Sequence, residues 1–132
     1  MTTSDDEPKI ASLQGLRVLV VEDEMMVAML IEDLLEGFGC TIVGPAASIA
    51  KALLLISTEA IDGAMLDLNL AGRAVDPVAD ELARRGVPFI FVTGYGSQEL
   101  RGDYNNRPRL PKPFRRLDLR RILTATFASG SI

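Results

Sequence analysis

The sequence predicts an α/β fold: a doubly wound, five-stranded parallel sheet with helices on both faces. Three observations predict it. Short apolar runs of strand length recur along the chain, as Arg17-Val-Leu-Val-Val21, Gly63-Ala-Met-Leu-Asp67 and Val87-Pro-Phe-Ile-Phe-Val92. Runs without polar alternation suit strands covered on both faces. Between them lie stretches whose apolar residues recur at helical spacing, the pattern of a helix with one buried stripe. The two kinds of segment alternate, as right-handed βαβ crossovers require. A chain of 132 residues suits one such core.

In order, residues 1–14 read as a flexible tail, because they are polar and acidic and offer little to bury. The first strand covers 17–21. Val27, Leu30, Ile31, Leu34, Leu35 and Phe38 then form a wide apolar stripe on a helix closed by Gly37 and Gly39. Thr41–Gly44 reads as a second strand ended by Pro45, and Ser48 as the N-cap of a helix with Ile49, Leu53 and Ile56 inward. The third strand, 63–67, precedes a helix marked by Val75, Val78, Ala79, Leu82 and Ala83 and ended by Gly86. A fourth strand covers 87–92. Residues 94–107 are rich in Gly, Asn and charge with one isolated Leu100, so a fourth helix is only weakly encoded there. Arg109-Leu110 forms a short fifth strand. Leu119, Ile122, Leu123 and Phe127 line a final helix, and residues 129–132 read as a tail too short for an output module. This leaves one domain over 15–128, with the flavodoxin-like strand order 2-1-3-4-5.

Composition narrows the chemistry. No histidine is present, which removes His triads, His metal ligands and a phosphohistidine of the protein's own. One cysteine, Cys40, excludes an internal disulfide and a thiolate zinc cluster. A metal would therefore be held by oxygen: Mg²⁺, Ca²⁺ or Mn²⁺. The net charge of −4 argues against nucleic acid as a partner. The sequence contains no apolar run near the ~20 residues of a membrane span and no signal-peptide pattern at its start, so a cytoplasmic protein is expected.

In a doubly wound sheet the site lies beyond the carboxyl ends of the strands. The first strand delivers Glu22 and Asp23 there, the third Asp67, the fourth Thr93 and the fifth Lys112. Singly, each has an ordinary reading as a cap, a turn residue or a solvated charge. Together they form an acidic cluster whose self-repulsion calls for a hard cation such as Mg²⁺. Asp67 is then a candidate nucleophile forming an aspartyl phosphate. Lys112 would neutralise charge, and the Thr93 hydroxyl would bond a phosphoryl oxygen.

These motifs, VVEDE, MLDLNL, FVTGY and LPKPF, resemble those of response-regulator receiver domains over about residues 16–127. The resemblance implies phosphorylation of Asp67 by a histidine kinase or a histidine phosphotransfer protein in a two-component or phosphorelay system. It implies Mg²⁺ (or Mn²⁺) held by Asp23, Asp67 and the backbone carbonyl of Asn69, with Glu22 acting through a metal-bound water. It also implies a cis Lys112–Pro113 bond. Pro88-Phe-Ile-Phe-Val-Thr-Gly-Tyr95 resembles the PFxFATGY signature of the "FAT GUY" receivers, with Val92 in place of Ala. Those are often single-domain regulators served by HWE-type kinases, and Val43–Ala50 also resembles that group. Two departures stand out. The acidic pair is Glu-Asp rather than Asp-Asp, and Arg109 stands where many receivers carry a switching Tyr or Phe. Tyr95, or ordering of residues 94–107, is expected to take over that coupling.

The expected function is a phosphorylatable switch or phosphate sink that catalyses only its own phosphorylation and dephosphorylation and is otherwise not an enzyme. The alternative is a receiver-like binding module that does not use phosphorylation, which the intact set Asp23, Asp67, Thr93 and Lys112 disfavours. A metal-dependent phosphatase would need a second acid where Asn69 stands, and a flavin protein a hydroxyl-rich loop where Glu22-Asp23-Glu24 stands. Met25, Met26 and Met29, beside the site, read equally as a docking surface for the kinase or phosphotransfer partner and as core packing.

Overall fold

The computed structural model describes residues 13–70, 72–94, 102–104 and 106–128. Within them the chain runs β1 (Arg17–Val21), α1 (Met25–Gly37), β2 (Thr41–Ala46), α2 (Ile49–Thr58), β3 (Gly63–Asp67), β4 (Asn69–Leu70), β5 (Arg73–Ala74), α3 (Asp76–Arg84), β6 (Phe89–Thr93), β7 (Arg109–Pro111) and α4 (Arg116–Leu123). A short 3₁₀ turn at Gly102–Tyr104 precedes β7, and α4 widens into a π-helical turn at Thr124–Ala128. The main sheet has five strands in the order β2-β1-β3-β6-β7, and every pairing in it is parallel. This is the expected order, with the small antiparallel hairpin β4–β5 as an addition.

The alternation of side chains along each strand divides the core in two. Leu19, Val21, Ala64, Leu66, Phe89 and Phe91 face α2 and α3, meeting Ala52, Ile56, Val78, Ala79 and Leu82. Val18, Val20, Met65, Ile90 and Val92 face α1 and α4, meeting Ile31, Leu35, Phe38, Leu119 and Leu123. Burying both faces is what makes the strand sequences continuously apolar. The expected caps are in place. Ser48 Oγ accepts from Lys51 N at 3.1 Å. Gly39, at φ +96°, turns the chain out of α1 in a conformation that a side chain would strain.

Four expectations shift. Leu13, within the segment read as tail, is fully buried, and its carbonyl accepts from Cys40 Sγ. An apolar side chain next to the first strand has a core to enter, so the ordered domain starts at least two residues before 15. Leu30 and Met29, read on or beside the α1 stripe, are 46% and 54% exposed, because only Ala28, Ile31 and Leu35 point squarely at the sheet. Pro45 lies inside β2 rather than ending it. This is tolerated because β2 is an edge strand with a register break opposite Leu19–Val21. In the segment read as a weak fourth helix, residues 95–101 and 105 lie outside the described residues, and Gly102–Tyr104 form the 3₁₀ turn.

Candidate functional site

Each strand delivers its residue as its length dictates. Asp67 ends β3, Thr93 ends β6, Glu22 follows β1 and Lys112 follows β7. Asp67 is paired with Val92, next to Thr93, and Thr93 is paired with Pro111, next to Lys112. The Lys112 N–H donates to the Thr93 carbonyl at 2.7 Å, which ties the two strand ends together. Glu22, Asp67 and Thr93 are the buried polar side chains among the described residues.

Carboxylate oxygens of Glu22, Asp23 and Asp67 lie within 4.8 Å of one another. Lys112 Nζ sits 3.4 Å from Glu22 Oε1, 3.2 Å from Glu24 Oε1 and 3.9 Å from Asp67 Oδ2. Burial raises the Glu22 carboxyl to about 7, and the neighbouring Asp67 charge adds to the rise against the pull of the Glu24 N–H and Lys112. Burial raises Asp67 as well, against the pull of Lys112 and hydrogen bonds from Glu22 and the Asn69 N–H. The two carboxyls thus take up a proton more readily than free ones when nothing else neutralises them. Burial works against the Lys112 charge, but Asp67, Glu22 and Glu24 outweigh it and hold the ammonium above its ordinary value.

Whether these residues suit a divalent cation follows from the same facts. Glu22 Oε1 is buried without a hydrogen bond, and the Lys112 ammonium 3.4 Å away faces it as a charge alone. An acceptor stranded beside two further carboxylates is the donor set that a hard cation takes and a proton only partly satisfies. The residues fit Mg²⁺ or Mn²⁺.

Of the other site residues named from the sequence, Asn69 stands two positions past Asp67. Its N–H faces Asp67 Oδ1 at 3.4 Å, and its side-chain Oδ1 accepts from Gly72 N at 2.8 Å. This bond closes the β4–β5 turn, where Gly72 at φ +83° supplies a conformation that other residues rarely adopt. Lys112–Pro113 is cis. Arg109 is exposed on β7. Tyr95 lies outside the described residues. Met25 and Met26 are 75% and 82% exposed at the start of α1, so the core-packing reading of these two does not hold.

Two residues with a place at or near the site were missed from the sequence. Glu24 bonds Lys112 across the site; the acidic run VVEDE was the available signal, but Glu24 was read only as part of the acidic loop Glu22-Asp23-Glu24. Tyr104 is buried and donates to Asp80 Oδ1 on α3. Its ring lies 5.7 Å from Phe89 and 5.9 Å from Phe91. Among the described residues, it is the aromatic packed in the β6–β7 connection.

The response regulator receiver domain family matches residues 18–124. The phyllosphere-induced regulator PhyR of Methylorubrum extorquens is 31% identical over 123 residues, 88% of this chain and 45% of that protein. The chain thus spans about half the length of this curated relative. The solution structure of SdrG from Sphingomonas melonis Fr1 is similar at a TM-score of 0.77 and 38% identity, covering 86% of this chain and 96% of that one. The BeF3-activated conformation of SdrG, from Pseudomonas melonis Fr1, is similar at a TM-score of 0.72 and 40% identity, covering 83% and 93%. Among the described residues, no helix is long and apolar enough to cross a membrane. With a family match that takes in all five sheet strands and the acids, threonine and lysine at their ends, the chain belongs to the response regulator receiver domains.

Proposed function

We propose that the protein accepts a phosphoryl group on Asp67 from a histidine kinase or a histidine phosphotransfer protein, in a reaction that depends on Mg²⁺. One observation carries this reading: a nucleophilic carboxylate, two further acids and an ammonium meet at one sheet edge, with Lys112 Nζ 3.9 Å from Asp67. A phosphoryl acceptor needs little more than such positioning and charge neutralisation. The BeF3-activated state of SdrG supports the reading, since trifluoroberyllate resembles a phosphoryl group in shape and charge.

Asp23, Asp67 and the Asn69 carbonyl would hold the cation, with Glu22 behind them. Bound there, the cation would supply positive charge against the phosphoryl oxygens. An Asp67 oxygen attacks phosphorus as the P–N bond to the donor imidazole breaks, and the electron pair leaves with that imidazole, which takes its proton from solvent. Lys112 holds one phosphoryl oxygen, and the Thr93 hydroxyl donates to another. The same residues return the phosphate to water, so the protein turns over its own aspartyl phosphate and no outside substrate. It acts as a cytoplasmic switch or phosphate sink. The likeness of PFIFVTGY to the PFxFATGY signature supports a FAT GUY receiver, and an HWE-type kinase is the donor that this likeness favours.

The test is incubation with acetyl phosphate and Mg²⁺. We expect one phosphoryl mass gained, lost in Asp67→Asn and in excess chelator. An unmodified wild type under these conditions leaves a phosphorylation-independent binding module as the reading. The exposed Met25–Met29 edge would serve as the kinase's docking surface. Met25→Ser with Met29→Ser is then expected to slow transfer from the kinase about tenfold, a loss of about 1.4 kcal/mol of contact, while leaving the acetyl phosphate rate as it was. Equal kinase rates in the variant and wild type would remove the docking role.

A further inference from the structure

Three carboxylates surround the Lys112 ammonium, and the nearest one is outside the buried acidic cluster. Glu24 Oε1 lies 3.2 Å from Nζ in hydrogen-bond geometry, whereas Asp67 Oδ2 lies at 3.9 Å. The Glu24 side chain does not cap α1, although Glu24 occupies the N-cap position. Its backbone N–H is occupied elsewhere, donating to Glu22 Oε2 at 3.1 Å. The carboxylate instead reaches across the mouth of the site to the loop after β7, along a cavity of about 480 Å³ that it lines with Val27, Leu30, Gly94, Pro113 and Phe114. Its side chain is 65% exposed, against 20% for Lys112.

We propose that Glu24 is a positioning residue: it parks the Lys112 ammonium away from Asp67 in the unphosphorylated protein and yields it to the incoming phosphoryl group. The proposal rests on the phosphorylation of Asp67. Exposure makes the parking contact weak and readily exchanged, since water screens a solvated ion pair. A movement of Nζ by about 1 Å brings it into charge-assisted hydrogen-bond range of an oxygen on Asp67. A phosphoryl dianion there outcompetes a single carboxylate, whereas unmodified Asp67 does not. Glu24 thus sets a threshold on the reaction, and releasing Lys112 frees an acidic side chain at the mouth of the site.

The test compares wild type, Glu24→Gln and Glu24→Asp in their rates of phosphorylation by acetyl phosphate at saturating Mg²⁺. Glutamine keeps the length and loses the charge. Aspartate keeps the charge but withdraws the carboxylate by about 1.5 Å, one C–C bond, and remains a good residue at a helix start. Both variants are expected to react about two- to fivefold faster, with unchanged thermal midpoints; a residue that only supported α1 would give no acceleration. Acceleration in Glu24→Gln alone would mean that the carboxylate merely repels the donor, and would overturn the proposal. So would wild-type rates in both variants. A wild type that takes up no phosphate would instead overturn the phosphoacceptor reading itself, and the parking role with it.

Discussion

Raising the pH of the metal-free protein from 4.5 to above 7 is expected to lower its stability by about 3 kcal/mol, and saturating Mg²⁺ to restore it. Glu22 has an ordinary pKa of 4.5 and is raised to about 7 in the fold, by burial first and by Asp67 after it. A carboxyl raised on folding binds its proton more tightly in the native state. The stability it contributes is complete below 4.5 and is lost as the pH climbs through about 7. Each pKa unit is worth about 1.4 kcal/mol. Because Asp67 rises too and titrates together with Glu22, the loss belongs to the pair rather than to either residue. A cation bound only by the native state replaces the proton and stabilises by mass action. Its effect is therefore large at neutral pH and small near 4.5. Glu81, lowered to about 2 by hydrogen bonds from Arg84 and Arg85, acts in the opposite sense and only at the acid end. The exposure of its Arg84 and Arg85 partners keeps that contribution screened. Urea unfolding across this range, in chelator and in Mg²⁺, measures the effect. Asp67→Asn should lessen the slope of the chelator curve only in part, since Glu22 loses its charged neighbour but keeps the larger effect of burial. A difference between chelator and Mg²⁺ that does not change with pH would show that the cluster is not what holds the cation.

Those strand-end acids were legible in the sequence because a doubly wound sheet sends every parallel strand's carboxyl end to one rim. Reading β1, β3 and β6 as apolar runs and Arg109-Leu110 as a short fifth strand was therefore enough to bring Glu22, Asp23, Asp67, Thr93 and Lys112 together. Burial of every residue of β3 and β6 likewise follows from runs with no polar interruption. Other features were not legible, for physical reasons that differ. Helical spacing locates a stripe but not its width: Leu30 and Met29 lie on its margin and stay exposed because the sheet reaches only as far as Ala28, Ile31 and Leu35. The Asn69–Ala74 hairpin is two residues per strand, too short for any periodicity. The Glu24–Lys112 contact joins residues 88 apart through side-chain rotamers, which no pattern along the chain encodes. Tyr104 sits in a polar stretch where Leu100 was the apolar residue singled out. The need to cover Phe89 and Phe91 arises only once β6 is in place between β3 and β7.

Phe91→Ala is expected to remove about 3–5 kcal/mol from a total that for a domain of this kind is about 5–15 kcal/mol. Phe91 is 1% exposed at the centre of β6. Its ring stands edge-on to Phe89, with centroids 5.4 Å apart and planes at 84°, and 5.9 Å from Tyr104. Arg107 lies over the Phe89 ring at 4.3 Å, closing the cluster from the side of the chain that leads into β7. Truncation leaves a cavity bordered by the Phe89 and Tyr104 rings, held from β6 and from the β6–β7 connection, so little of it closes by relaxation. Tyr104→Phe is the control. It keeps the ring and removes the hydroxyl's bond to Asp80, for an expected loss of about 0.5–1.5 kcal/mol. Urea midpoints at constant slope give both values, and a Phe91→Ala loss near 1 kcal/mol would show that the rings do not carry the β6–β7 connection. The consequence for chemistry is separable. Phe91 pairs with Leu66 and Arg109 through its backbone, and alanine leaves those pairings in place. Thr93, two residues on, still accepts from the Lys112 N–H. Well below its unfolding transition, the variant should therefore take phosphate from acetyl phosphate at the wild-type rate per folded molecule, losing lifetime of the fold rather than competence of the site.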